Sequence, residues 1–543
     1  MAAAPALALT PGFEKSYLNF SKYPVSLVSK STYGRGSLEL YRRRYEDRQS
    51  TLCVEEAQAK LPVRDISIDG KVAKANIFDN TELRRWLGDT STPDPLNPAN
   101  LLGHLATKPD PRCRFIFLAT ISQTAPLQLS PAMLSRLLTW HQVTPTFLEF
   151  LYVFGTPFGE DREVRYSGFR TEKVLTNPDP GNVLPQLNRS GRRYQVCYNL
   201  KAVALKDEDK KGVINKTWKV RQAAVHHQLD LGDAGGQLWM VGDPHCALKD
   251  QVQLLYPEFD DHRESFRTSE RAFESSLDVH LLFCRWSTEE WRAHIQSLEE
   301  ITDNLTSHVL LIGHNRGRIT LEPGSVGSVQ EYEDMTNDAL MALESNVEIM
   351  NSLQSFYSEL VADEDFPTAW RVPCKKAVRL FTSQVNELMY DTRMHAARAK
   401  VLSKIIADRK TVLIQHLQAQ AATRQEQFAA AMWKQAERSG TEAVAMRIIT
   451  IITLIYLPPT FSSTFFSTDV VKYQNGDGDS GAGAESRSML ALWRWLEVSL
   501  PLMALTFAAA GAWFFYERHQ RGKRKRDLKR RFPDVFDNMK ELP

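Results

Sequence analysis

The chain has 543 residues, of which 43% are hydrophobic and 24% charged, and its formal net charge is +2. This composition excludes a disordered or low-complexity protein, and the near-neutral balance favours no nucleic-acid partner. The six cysteines form no C-x-x-C pair, so we expect neither a zinc cluster nor a disulfide scaffold.

Residues 1–325 are predicted to form a cytosolic domain of the α+β class. Residues 114–120 (R-F-I-F-L-A-T) are an apolar run typical of a strand. Residues 218–231 and 237–241 flank a glycine-rich turn, which predicts a β-hairpin. Residues 277–286 are apolar enough to predict one more strand.

Helix starts and one loop are also predicted in this domain. Ser130-Pro131 has the residue types of an N-cap and first turn, for a helix that reaches about His141. Ser287 and Glu290 have the spacing of a capping box. Residues 93–111 are predicted to be a loop.

The N-terminal domain lacks the sequence patterns of an enzyme. It contains no P-loop and no G-x-G-x-x-G. The segment G-H-N-R-G has the glycine spacing of a nucleophile elbow, but its central Asn315 cannot act as a nucleophile. His226 and His227 would point to opposite faces of a strand and could not easily share one metal ion. We therefore predict a protein that is not an enzyme and has no bound cofactor.

Residues 326–445 are predicted to form a helical stalk. No proline occurs between Pro373 and Pro458, which predicts one very long helix. Its heptad seam consists of Val378, Phe381, Val385, Leu388, Ala399, Leu402, Ile406 and Leu413. Residues 332–360 are predicted to pack against it as an antiparallel helix. The seam is interrupted by Thr392, His395, Arg409 and His416. These polar residues are interpreted as setting the register of an oligomer, with the two histidines as alternative ligands or pH sensors.

Two segments predict membrane-spanning helices. Residues 446–466 and 498–516 are apolar, and each is roughly 30 Å long as a helix, the thickness of a bilayer core. Residues 467–497 would form an extracytosolic loop with interfacial aromatics. The basic tail, residues 517–543, predicts that both termini are cytosolic.

Charged residues beside the spans predict ion attraction on one side and lipid contact on the other. The connecting loop carries the acidic residues Asp477, Asp479 and Glu485. The tail carries the basic cluster Lys523, Arg524, Lys525 and Arg526, which would fix the topology and attract anionic lipid.

The sequence resembles the CorA-like divalent-cation transporters, and in particular their fungal CorA-like domain branch. Leu457, Pro458 and Thr460 look like the L-P-x-T motif of the first span in that family. W-H-Q-V-T-P at residues 140–145 and W-K-V-R-Q-A-A-V at residues 218–225 are similar to the fungal branch. The resemblance implies passive, potential-driven passage of a magnesium-like divalent cation through a homopentamer.

The same resemblance identifies candidate ion-pathway residues. A stripe at helical spacing would line the pore: Met446, Thr450, Thr453, Leu457, Thr460 and Thr464. As the alternative, these threonines only hydrogen-bond their own backbone. At the pore mouth, Ser467, Thr468 and Asp469 replace the Gly-Met-Asn of the family.

That replacement keeps a second function open, a membrane-anchored interaction or signalling module that does not conduct ions. The absence of a recognisable transit peptide favours the plasma membrane.

Overall fold

The computed structural model describes residues 9–29, 33–93, 101–102, 105–156, 165–210, 213–258, 260, 262–311, 324–467 and 484–531. The chain divides into two compact units, Met1–Leu417 and Gln418–Pro543. Thr468, Asp469, Asp477 and Asp479, and the G-H-N-R-G segment, lie outside the described residues.

The strands of the first unit are β1 (Leu61–Ile66), β2 (Val72–Ile77), β3 (Thr92–Pro93), β4 (Leu101–Leu102), β5 (Cys113–Thr120), β6 (Phe169–Val174), β7 (Arg193–Lys210), β8 (Val213–Asp230) and β9 (Gln237–Pro244). Its helices up to the stalk are α1 (Pro11–Leu18), α2 (Arg35–Leu52), α3 (Asn80–Leu87), α4 (Pro131–Trp140), α5 (Phe147–Leu151), α6 (Ala247–Leu255), α7 (Arg263–Phe266), α8 (Ser269–Thr288) and α9 (Trp291–Leu311). The remaining helices are α10 (Gly324–Ala362), α11 (Thr368–Ser467) and α12 (Ala484–Arg531).

A seven-stranded mixed sheet with the order β2-β1-β5-β9-β8-β7-β6 confirms the α+β class. Only the β5–β9 pair within it is parallel. The predicted strand at residues 114–120 is β5, and the predicted hairpin is the antiparallel pair β8–β9. Both predictions are confirmed because each rested on a local apolar pattern.

The sheet separates two hydrophobic cores. One face packs against α8, α10 and α11, and the other packs against α1, α4 and α5. His226 contacts the ring of Phe147 on the second face, with ring centroids 5.3 Å apart. His227 stacks on Trp239 on the first face at 4.0 Å. The two histidines therefore point to opposite faces, as predicted.

The prediction of a strand at residues 277–286 is wrong, because this segment lies inside α8. Its apolar residues are buried on several sides of a helix, and such a run cannot be distinguished from a strand by periodicity alone. The overlooked signal is Thr268, whose hydroxyl caps the helix by accepting a hydrogen bond from the Arg271 N–H at 3.3 Å.

Two smaller predictions also need correction. Ser287 is not a cap, because it lies in the last turn of α8 and its hydroxyl donates to the Cys284 carbonyl at 2.7 Å. The helix α9 instead begins after Glu290, whose φ of 64° turns the chain. The segment predicted as a loop at residues 93–111 contributes to a two-stranded ladder, in which Thr92 pairs with Leu102. In contrast, the Ser130 cap of α4 is confirmed.

The helix α10 is the antiparallel partner of α11 in the first unit. Gln354 donates to the Thr382 carbonyl at 3.0 Å, and Ser403 bonds Asn337 at 2.7 Å. The members of the predicted heptad seam are buried, apart from the half-buried Leu388. The seam therefore packs inside one chain, against α10 and its neighbours.

Two of the polar interruptions are explained within the same chain. Arg409 donates to Asp303 of α9 at 2.5 Å and to Thr306 at 2.9 Å. Thr392 donates to the Leu388 carbonyl at 2.7 Å. Both side chains therefore have hydrogen-bond partners within a single copy of the chain.

All six cysteines are buried free thiols, so the fold contains no disulfide bond.

Candidate functional site

Two described helices are long and apolar enough to cross a membrane, α11 and the segment Trp493–Tyr516 of α12. Large apolar side chains are exposed along both, including Ile448, Ile452 and Phe461 on α11 and Leu505 and Phe515 on α12. Exposed apolar residues on several sides of a helix are typical of a segment that faces lipid or other copies of the chain.

Within the second unit, α11 and α12 contact each other through small polar side chains. Ser462 and Ser499 are both 2% exposed, and their hydroxyls hydrogen-bond each other. The Trp495 indole N–H donates to the Ser463 hydroxyl at 3.0 Å. Pro458 of the L-P-x-T motif is buried as well. Small residues and hydroxyl pairs allow close approach of helices in a membrane.

The predicted pathway residues occupy a different side of α11. Met446, Thr450, Thr453, Leu457, Thr460 and Thr464 are all exposed. They recur at intervals of three and four residues, and a helix of 3.6 residues per turn places them on one face. Met446 is 67% exposed and Leu457 is 65% exposed. The structure therefore brings these six side chains onto a single face, turned away from Pro458 and Ser462.

The threonine hydroxyls donate to the helix backbone. Thr450 donates to the Met446 carbonyl at 2.7 Å, and Thr460 donates to the Tyr456 carbonyl at the same distance. Thr453 and Thr464 bond the carbonyls one turn earlier in the same way. Each hydroxyl proton is thus committed, but the oxygen keeps lone pairs that can accept a hydrogen bond from water. The waters around a metal cation present their hydrogens outward, so this face can contact a hydrated cation.

The remaining predicted site residues are only partly described. Ser467 is exposed and ends α11. Glu485 lies in α12, although its side chain is outside the described residues. Lys523 is exposed in the same helix, while only the backbone of Arg524, Lys525 and Arg526 is described there. In the described part of the chain, no group of three or more His, Cys, Asp or Glu residues could hold a metal ion.

Sequence reasoning missed a buried polar cluster in the first unit. Tyr357 of α10 bonds His280 Nε2 of α8 at 2.7 Å, and Tyr198 of β7 bonds His280 Nδ1 at 2.8 Å. His227 Nδ1 lies 3.2 Å from His280 Nε2. Burial lowers the pKa of His280 to about 3, so its ring is neutral at physiological pH. The cluster joins the sheet to α8 and α10, and no spacing in the sequence indicates it.

The chain combines an α+β domain with two C-terminal helical segments that are long and apolar enough to cross a membrane. The sequence model of the CorA-like transporters matches residues 15–310, which is more than half of the chain. The chain therefore belongs to the CorA-like transporter family, whose members are membrane proteins of metal-ion transport rather than enzymes. The matched residues lie in the N-terminal domain and do not include the L-P-x-T motif.

Two solved structures are similar to the chain at low identity. The full-length CmaX protein is 9% identical over 83% of this chain and 98% of its own, with a TM-score of 0.28. The ZntB cytoplasmic domain from Vibrio parahaemolyticus RIMD 2210633 is 6% identical over 65% of this chain and 98% of its own, with a TM-score of 0.29. Both likenesses are too remote to carry an argument. No curated protein matches the chain.

Proposed function

We propose that this CorA-like protein conducts a magnesium-like divalent cation passively through a pore lined by α11 from several copies of the chain. The observation that carries the proposal is the row of exposed hydroxyl groups on one face of the apolar segment of α11, residues 446–466. The hydroxyls already donate to the helix backbone, so contact with lipid would leave no donor unsatisfied. Only around a central water-filled axis would their oxygens also accept hydrogen bonds from water.

The cation would pass with part of its water shell. Magnesium releases its waters reluctantly, and oxygen atoms that accept hydrogen bonds from those waters stabilise the hydrated ion. Met446 and Leu457 would form apolar constrictions that close the pore by dewetting. The membrane potential would drive the ion inward, since each elementary charge gains about 2.3 kcal/mol per 100 mV.

An acidic residue would lie at the pore entrance, next to the threonine face. Asp469 follows α11 in sequence and stands where the family has the asparagine of Gly-Met-Asn. Its carboxylate would attract a hydrated cation more strongly and less selectively than an amide. An Asp469→Ala channel should therefore show weaker uptake, and unchanged flux would argue against a selectivity role for this residue.

Several copies are needed for such a pore, and we infer a homopentamer. In the first unit, α11 carries exposed apolar residues at intervals of seven and four: Met394, Val401, Ile405 and Val412. This spacing is typical of a helix seam that packs against another helix. The seam of buried residues described above lies elsewhere on α11, so the exposed row is available to a second copy.

The proposed orientation has both termini in the cytosol and the chain in the plasma membrane. The basic cluster at Lys523–Arg526 would then face anionic lipid of the inner leaflet. A fluorescent fusion found in mitochondria would overturn the plasma-membrane assignment.

Ion flux into liposomes tests the central proposal. Purified protein would be reconstituted around a magnesium-sensitive dye, and entry of magnesium, nickel and cobalt would be followed at a fixed potential. A Thr460→Trp change places a large ring on the proposed pore face and should abolish saturable entry. Ile448→Trp is the matched control, because Ile448 is exposed on another side of the same helix and its replacement should leave entry unchanged.

The control decides what a loss of flux means. Equal loss in both tryptophan variants would indicate damaged packing rather than a blocked pore. Absence of flux for every divalent cation, from folded and oligomeric wild-type protein, would contradict conduction.

Sequence at the pore mouth favours one alternative, an anchored interaction module that does not conduct ions. Ser467, Thr468 and Asp469 replace the whole family motif. On this alternative, tagged full-length protein should retain a stable partner during purification while its liposomes show no flux. Flux without a retained partner would exclude it.

A further inference from the structure

A small cavity with three arginines in its lining lies at one edge of the sheet, far in sequence from the spanning helices. Its volume is about 40 Å³. Arg114 comes from β5, Arg193 from β7, and Arg189 from the loop before β7. His141, directly after α4, also lines it.

Both carboxylates in the lining are already used. Asp110 accepts from Arg114 at 3.2 Å and from Arg189 at 2.7 Å. Asp230 accepts from the backbone and hydroxyl of Ser190 at 2.9 and 2.7 Å, and from the Gly232 N–H at 2.8 Å. Arg193 is left with a hydrogen bond to the Gln142 carbonyl at 3.0 Å. No carboxylate of the described segments lies within ion-pair distance of Arg193.

Five buried polar atoms of the lining also lack partners in the described part of the chain: Arg189 Nη2, Gln237 Nε2, Asn182 Oδ1, Gln228 Oε1 and His141 Nε2. Arg189 is 9% exposed; its Nε bonds Asp110 and its Nη1 bonds the Trp140 carbonyl at 2.6 Å, but its Nη2 has no acceptor. His141 is 4% exposed, and its Nε2 has no partner. A buried donor without an acceptor costs about 1–3 kcal/mol, and more when it is charged. The lining therefore carries three arginines against two carboxylates, and the charged Arg189 Nη2 has no acceptor among the described residues.

The electrostatics of the lining agree with this geometry. Burial lowers the pKa of Arg193 to about 10; the carboxylate charges of Glu172 and Asp230 oppose this shift, and the neighbouring Arg189 adds to it. Burial lowers the pKa of His141 well below its usual value, and the nearby Arg189 and Arg114 lower it further. Positive groups in this cavity are thus desolvated without full compensation.

A larger cleft adjoins the cavity and shares Asp110 and Arg114 with it. Its volume is about 500 Å³, and it is lined by Lys71, Lys108 and Arg112. Burial, and then Arg114, lowers the pKa of Lys108. A cleft with these cations would raise the local concentration of anions near the cavity.

We propose that the cavity binds a small inorganic anion, which accepts hydrogen bonds from Arg189 Nη2, Arg193 and the imidazole of His141. A volume of 40 Å³ exceeds the roughly 10–15 Å³ that one water needs, and it suits a halide or the head of a phosphate. The anion would connect the end of α4, the loop around Arg189 and the strand β7. This site is independent of the proposed pore.

Anion titration of the full-length protein in detergent tests the proposal. Sodium chloride, bromide or phosphate would replace sodium gluconate at constant ionic strength, while the unfolding temperature is measured. We expect the unfolding temperature to rise saturably with chloride and bromide, with phosphate, or with all three. The pattern distinguishes a monatomic site from an oxyanion site. No anion-specific rise would overturn the proposal.

Variants locate the effect in the cavity. Arg193→Gln should weaken the anion Kd by about tenfold or more, because it removes a charged donor. Arg43→Gln is the control, since the Arg43 side chain is 72% exposed on α2 and its loss should leave the Kd unchanged. Equal weakening in both variants would contradict a site in the cavity.

A crystallographic readout does not depend on the folding of any variant. Crystals of the wild-type protein grown in bromide should show an anomalous peak beside Arg189 Nη2 and Arg193. Ordered water alone in the cavity, both in these crystals and in crystals grown in phosphate, would overturn the proposal.

Discussion

We expect the buried histidines to make the N-terminal domain sensitive to acid, and His280 illustrates the reason. Its ring bonds Tyr198 through Nδ1 and Tyr357 through Nε2, and it is fully buried. Burial lowers its pKa to about 3 in the folded protein, against about 6.5 in an unfolded chain. Between these two values only the unfolded chain binds the proton, so the contribution of His280 to stability falls as the pH falls below about 6.5.

The His280→Gln variant tests this at the residue scale. One histidine changes the free energy of unfolding by about 1.4 kcal/mol per pH unit in this range. The difference in free energy of unfolding between wild type and His280→Gln should therefore shrink by about 2 kcal/mol from pH 7 to pH 5. Urea unfolding followed by tryptophan fluorescence measures both free energies. A gap that is the same at both pH values would contradict a neutral buried ring.

Tyr357→Phe is the companion variant, because the tyrosine hydroxyl that it removes does not titrate between pH 5 and pH 7. It removes the hydroxyl that bonds His280 at 2.7 Å, and we expect a loss of about 1–3 kcal/mol in the free energy of unfolding. The loss should be similar at pH 7 and pH 5. A loss confined to pH 5 would show that the hydroxyl acts through protonation of the histidine.

At the scale of the elements, we expect the packing of α10 against α11 to contribute to the stability of the stalk. Leu402 is buried in the core shared by α9, α10 and α11. Leu402→Ala should lower the free energy of unfolding by about 2–5 kcal/mol, because it leaves a cavity. Leu380→Ala is the matched control on the same helix, since Leu380 is 62% exposed, and should cost less than about 1 kcal/mol. Equal costs would contradict the assigned seam.

At the scale of the whole molecule, the proposed pore requires assembly. Val401 lies on the exposed apolar row of α11, whereas its neighbour Lys400 is exposed outside that row. Val401→Glu should place like charges against each other around the ring and reduce the proportion of pentamer. Lys400→Glu should leave assembly unchanged. Light scattering in detergent measures the mass, and a wild-type monomer would contradict the pore.

Local patterns predicted the elements whose signals lie within a few residues. The strand at residues 114–120, the β8–β9 hairpin and the long helix through the heptad seam are confirmed because periodicity and turn residues are local properties. The segment at residues 277–286 was predicted wrongly because a short apolar run fits a strand and a buried helix equally well.

The sequence by itself indicated a membrane protein with an α+β domain and two apolar segments near its C-terminus, and the threonine stripe followed from helical spacing alone. Only the tertiary structure decided which groups meet over long distances. Arg189 bonds Asp110 from 79 positions away, and Tyr357 bonds His280 from 77 positions away. The physical reason is that sheet order and helix packing, rather than local propensity, bring such residues together and remove them from water.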